Sequence, residues 1–114
     1  MKLVFETMPP STNHLYGRTR RGGVSLLDSV RQAKDDLGWE ARDQFHGEPL
    51  TEALSVDVSL FWGDRRKHDI DNIKALLDAL TGVVWEDDGQ IIDLNIHKRF
   101  DKENPRVEMT VELA

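Results

Sequence analysis

The chain has 114 residues, a net charge of −6 and no cysteine. That length makes a single domain with a real but modest core, and the missing cysteine excludes disulfides and thiolate metal sites. No apolar run approaches the ~18 residues of a membrane span, the N-terminus lacks the order of a secretion signal, and the acidic balance argues against a general polyanion binder.

Lys2 to Glu6 (KLVFE) is short and β-prone, and Pro9-Pro10 ends it because proline has no ladder donor. From Ser11 to Gly23 the chain is a polar, basic loop holding Tyr16, Arg18, Arg20 and Arg21. Guanidinium groups match phosphate oxygens bidentately, and a tyrosine can stack on a base. The charge is divided unevenly: residues 1–34 hold six Lys or Arg against two acids, so the acid lies further on. Ser25 to Asp28 resembles a capping box and opens a helix to about Gln44. Leu26, Val30, Ala33, Leu37, Ala41 and Phe45 define its buried side, with Trp39 at the margin. Leu54 to Trp62 alternates apolar with mostly polar residues and predicts a half-buried strand. Arg65, Arg66 and Lys67 follow as three consecutive cations.

Asn72 to Leu80 spaces Ile73, Leu76, Leu77 and Leu80 on one face of a short helix, with Asp71 in the N-cap position and Gly82 as its C′ stop. Val83 to Trp85 is a short apolar piece, and Glu86 to Gly89 a turn presenting acid. Ile92, Leu94 and Ile96 alternate with polar residues up to Phe100, predicting another half-buried strand. Asp101 to Pro105 is a turn, and Val107 to Leu113 alternates again, so the last two strands are expected to form a hairpin. The order strand, helix, strand, helix, strand, strand predicts an α+β domain over residues 1–114, a mixed sheet with helices packed on it.

Two acidic pairs stand out. Asp69 and Asp71 lie one residue apart at the mouth of the short helix, and Asp87 and Asp88 follow it. Singly, each is explained as a cap or a turn residue. Together they gather charge: two carboxylates at 4 Å repel by about 4 kcal/mol at the effective dielectric of a protein surface. A hard divalent cation relieves this, and Mg²⁺ or Mn²⁺ prefers such oxygen ligands. The three cations beside the acidic stretch suit a phosphate clamp.

The stretch DIDN, a lysine, LLDAL, a glycine turn and DDGQI resembles the signature of RusA-type Holliday junction resolvases, and the opening PPSTNHLYGRTRRGG resembles that family's proline-led start and basic loop. With Lys98 in the strand that follows, the resemblance covers nearly the whole chain. It implies a RusA-like fold and a Mg²⁺-dependent endonuclease resolving four-way DNA junctions by paired symmetric nicks. It also implies a homodimer in the cytoplasm of a bacterial or phage-infected cell, with no membrane association. Asp69, Asp71 and Asp88 fall on the family's essential acidic positions, and Asp87 on the neighbour of the third. Lys74 falls on its motif lysine, although it follows Asp71 one residue sooner than the family's spacing. Tyr16, Arg18, Arg20, Arg21, Arg65, Arg66, Lys67 and Lys98 make the expected DNA face. A second reading of the same residues is a non-catalytic module that keeps the fold and holds branched DNA or a phage protein.

Overall fold

The computed structural model describes residues 1–10, 23–65 and 72–114, without the side chains of residues 23–27. Strand β1 (Lys2–Phe5) is followed by α1 (Gly23–Gln44), β2 (Leu54–Trp62), α2 (Asn72–Leu80), a 3-10 turn (Asp88–Gln90), β3 (Ile91–Phe100) and β4 (Arg106–Leu113). The four strands form one sheet in the order β1-β4-β2-β3. β4 is antiparallel to both β1 and β2, and β3 is parallel to β2. The α+β class and the mixed sheet are as the residue pattern predicts.

Alternation decides which face of the sheet is covered. Val56, Val58 and Leu60 of β2 align with Val111, Met109 and Val107 of β4, and Leu3 and Phe5 of β1 continue the row. All are buried, and Leu37 and Ala41 of α1 and the apolar stripe of α2 join them in one core. Residues between them, such as Asp57 and Glu112, are exposed, so the helices lie on one face and the other is open. Each fully buried Leu, Ile or Val contributes about 1.5–3 kcal/mol relative to exposure, and eight residues of α2 and the turn after it are buried aliphatics or Trp85. Trp85 Nε1 donates to Thr81 Oγ1 at 3.2 Å, and Thr81 Oγ1 donates to the Leu77 carbonyl at 3.0 Å, which ties the buried indole to the end of α2. Gly82 (φ +88°) turns the chain there, and its N–H donates to the Trp85 carbonyl at 2.7 Å.

Four expectations are corrected. β3 and β4 do not form a hairpin, because β2 lies between them. Residues 101–105 instead cross the end of β2, where the Asp101 N–H donates to the Trp62 carbonyl at 2.8 Å. In the observed order both sides of β2, whose inner row is fully apolar, are paired, by β3 and by β4. β3 is not half-buried: Ile92 is 69% exposed and Leu94 38%, since β3 is an edge strand and α1 packs on β1 and α2 rather than over it. Helix α1 starts at Gly23, ahead of the Ser25 box, so Ser25 is inside the helix rather than its cap. Trp39 is 64% exposed rather than packed at the margin, with the Arg42 guanidinium 5.3 Å from its ring centroid.

Candidate active site

The site is built where α2 passes the turn that leads into β3. Ile73, Leu76, Leu77 and Leu80 turn inward with Ala75, which leaves Lys74 and Asp78, four residues apart, on the outer side of the helix. Lys74 Nζ lies 3.0 Å from Asp78 Oδ1 and 3.0 Å from Asp88 Oδ2. The fold thereby returns Asp88 to the helix that begins directly after Asp71. The hydrogen bond to Asp88, then that to Asp78, and the charge of both carboxylates hold the Lys74 pKa above its ordinary value. The ammonium therefore stays protonated throughout the neutral range.

Asp87 and Asp88 have different work although adjacent. Asp87 caps the 3-10 turn: its Oδ2 accepts from the Gly89 N–H at 3.2 Å, while its own N–H donates to Gln90 Oε1 at 2.8 Å. A Cβ on Gly89 would sit 2.7 Å from that Oδ2, so any side chain there would make the Asp87 carboxylate shift. Gln90 Nε2 donates to the carbonyls of Leu50 and Glu52 at 2.8 and 2.9 Å, which pins the turn to the segment before β2. The carboxylate of Asp88 is thus presented toward α2 from an anchored turn, while that of Asp87 is spent on the anchor.

Asn72 is a residue the sequence reading passed over. It is the first residue of α2, only 3% exposed, and its Oδ1 is buried with no hydrogen-bond partner among the described residues. A buried acceptor left unpaired costs about 1–3 kcal/mol, so an unmet amide oxygen directly after Asp71 is an oxygen donor awaiting a proton or a cation. Its signal in the sequence is position: Asn72 lies on the i, i+4, i+8 row with Leu76 and Leu80, a polar residue on an otherwise apolar row. Carboxylate oxygens without sulfur are what a hard divalent cation takes, and of these Asp88 meets the outer side of α2 while Asn72 lies on its buried row. Among the described residues no three acidic or imidazole side chains converge to enclose a metal by themselves. Asp69 and Asp71, the other two acids of the expected set, lie outside the described residues.

Of the expected DNA face, Arg65 and Lys98 are described. The Arg65 guanidinium stacks 4.1 Å from the centroid of Phe100, where β2 and β3 end together. Lys98 is exposed on β3, two residues before Phe100 and on the same side of the strand. Tyr16, Arg18, Arg20, Arg21, Arg66 and Lys67 lie outside the described residues. No helix among the described residues is long and apolar enough to cross a membrane.

The chain is similar to known proteins along most of its length. The family model for Endodeoxyribonuclease RusA matches residues 7–112. The "Crossover junction endodeoxyribonuclease RusA" of Aquifex aeolicus is 31% identical over 105 residues, covering 90% of this chain and 82% of that protein. An "Uncharacterized protein YqaN" of Bacillus subtilis is 44% identical over a shorter stretch of 46 residues, 40% of this chain and 32% of that protein. A match that begins just after β1 and runs almost to the last residue of β4 takes in every element that builds the Lys74 and Asp88 pair, and the chain belongs to the RusA endodeoxyribonuclease family.

Proposed function

We propose that this protein is a divalent-metal-dependent endonuclease that resolves four-way DNA junctions by paired symmetric nicks. Membership of an endodeoxyribonuclease family and likeness to a crossover junction enzyme along nearly the whole chain support the reaction class. The observation that carries the site is the 3.0 Å contact between Lys74 and Asp88, which ties the acidic turn to the helix that Asp69 and Asp71 precede.

In this reading Asp69, Asp71 and Asp88 hold Mg²⁺ or Mn²⁺. The ion, when bound, supplies Lewis acidity toward the scissile phosphate and lowers the pKa of a water. Asp87 holds the turn that presents Asp88. Lys74, kept protonated by its carboxylate neighbours, is the cation available to the charge that grows on the phosphate oxygens. Arg65, fixed on Phe100, and Lys98 bear on backbone phosphates, joined by Tyr16, Arg18, Arg20, Arg21, Arg66 and Lys67. Two symmetric nicks need two copies of the site, hence a homodimer with isologous contacts.

A labelled synthetic junction incubated with Mg²⁺, Mn²⁺ or EDTA tests the proposal. Nicking with either metal and none in EDTA is expected. Binding without nicking in all three would reject the nuclease reading in favour of a non-catalytic module that holds branched DNA.

A further inference from the structure

Helix α2 carries its charges the wrong way round for its own stability. Lys74 lies in the first turn, where the helix dipole is positive, and Asp78 in the last, where it is negative. As an i, i+4 pair they also stand in the weaker order, cation before acid. A pair kept only to hold the helix would run from acid to cation. The Lys74 side chain is 67% exposed, so the two carboxylates rather than packing set where its ammonium lies, 3.0 Å from Asp78 Oδ1 and 3.0 Å from Asp88 Oδ2. Those carboxylates differ in what carries them. Asp88 is presented by the turn that Asp87 and Gln90 anchor, whereas Asp78 rides on α2 beside the lysine itself.

We propose that Asp78 is a positioning residue for Lys74, holding the ammonium on the outer side of α2 when a divalent cation takes the Asp88 carboxylate. The inference rests on the reading that Asp88 is a ligand of that cation. Mg²⁺ binds a carboxylate oxygen at about 2.0–2.1 Å, inside the 3.0 Å at which the ammonium stands, and repels an ammonium left beside it. Lysine and cation are thus rivals for Asp88. Asp78, one turn further along α2, offers the lysine a partner outside the acidic turn. With Asp78 in place the ammonium gives up one contact and keeps the other, so it stays at the site instead of moving into solvent. With Asp78 neutralised, the cation must strip Lys74 of its remaining carboxylate among the described residues.

Titration calorimetry of the full chain with Mn²⁺, without DNA, reads this competition. Lys74→Met should tighten Mn²⁺ binding by about fivefold or more, because the rival and a like charge leave together. Asp78→Asn should weaken it by about two- to fivefold, the worth of one exposed ion pair. Asp78→Glu keeps a carboxylate within reach and should stay within about twofold of the original. In the Lys74→Met background, Asp78→Asn should change Mn²⁺ affinity by less than about twofold, since Asp78 acts through the lysine. The melting temperature of Asp78→Asn should not fall, because the change takes a negative charge from the last turn of α2. A lowered melting temperature with unchanged Mn²⁺ affinity would make the pair a helix staple and overturn the proposal. So would an Asp78→Asn effect of equal size with and without Lys74, or no tightening in Lys74→Met, which would mean that Asp88 holds ion and ammonium on separate oxygens. Asp88→Asn tests the premise: undiminished Mn²⁺ binding there rejects Asp88 as a ligand and the proposal with it. Lost binding there, with an Asp78 effect blind to Lys74, rejects the proposal alone.

Discussion

The Lys74 ammonium and the Asp88 carboxylate, fourteen positions apart in the chain, meet at 3.0 Å on the outer side of α2. Asp88→Asn removes a charge of the proposed metal site and a partner of the lysine, and should abolish metal-dependent nicking. Junction binding should be kept or strengthened, because a negative charge near DNA is lost. Lys74→Ala should lower the nicking rate by about 10²-fold, the usual effect of losing one donor to a developing oxyanion. Single-turnover cleavage and a gel-shift titration on the same junction separate these effects. Full activity in Asp88→Asn would refute the assignment.

The same pair sets a pH expectation. The raised pKa of Lys74 means that the folded protein holds this proton more tightly than the unfolded chain. The contribution is therefore complete below the ordinary lysine value of about 10.4 and fades as pH climbs through the raised one. Nicking should show no alkaline loss from this lysine until pH exceeds about 10. At the other end, Arg106 lies 3.9 Å over the Phe61 ring and bridges Asp101 and Glu108 at 2.8 and 2.7 Å. Its hydrogen bonds lower both carboxyl pKa values. That contribution is present above the unfolded carboxylate values of about 4 and is lost as pH falls through the depressed folded ones. Melting temperature should drop as pH is taken below about 4, and Arg106→Met should flatten that drop. Thermal melts from pH 2 to 6 check it.

Local pattern was legible and long-range partnership was not. The bounds of β2 and α2 follow from period and punctuation, because Leu54 to Trp62 and Ile73 to Leu80 bury one side against a single layer. The neighbour of β2 could not be read this way: alternation reports a face, and says nothing of which strand lies alongside. Ile92 and Leu94 carry the alternation of a covered strand, yet whether a helix lies above them depends on where α1 and α2 pack. In the site, the acid pair before β3 was visible, but the division of labour within it was not. It arises from Gln90 reaching back to Leu50 and Glu52, about forty positions earlier. Asn72 was overlooked because the helix pattern was read from its apolar members alone.

Gln44 guards the outer edge of β1 through two hydrogen bonds to Val4. Replacing it with alanine leaves those backbone groups to water, which costs about 1 kcal/mol for partners this exposed. It also removes what keeps a second strand away. Gln44→Ala should lower the urea midpoint modestly, speed amide exchange at Val4, and increase concentration-dependent association. An unchanged exchange rate at Val4 would show that the side chain does not hold the strand.

Gly63 marks the point where the turn from β3 to β4 passes over the end of β2. A Cβ built there would stand 2.8 Å from Pro105 Cγ, inside any normal contact. Neither group yields readily, since the proline ring is rigid and the Asp101 N–H is bonded to the Trp62 carbonyl one residue before Gly63. Gly63→Ala should therefore destabilise the protein by about 1–3 kcal/mol, the usual cost of overpacking. Pro105→Ala in the same chain removes the colliding atom, so the double variant should lose less than the sum of the singles. A double-mutant cycle in urea reads that difference. Strict additivity would mean that the crossing is looser than the contact implies.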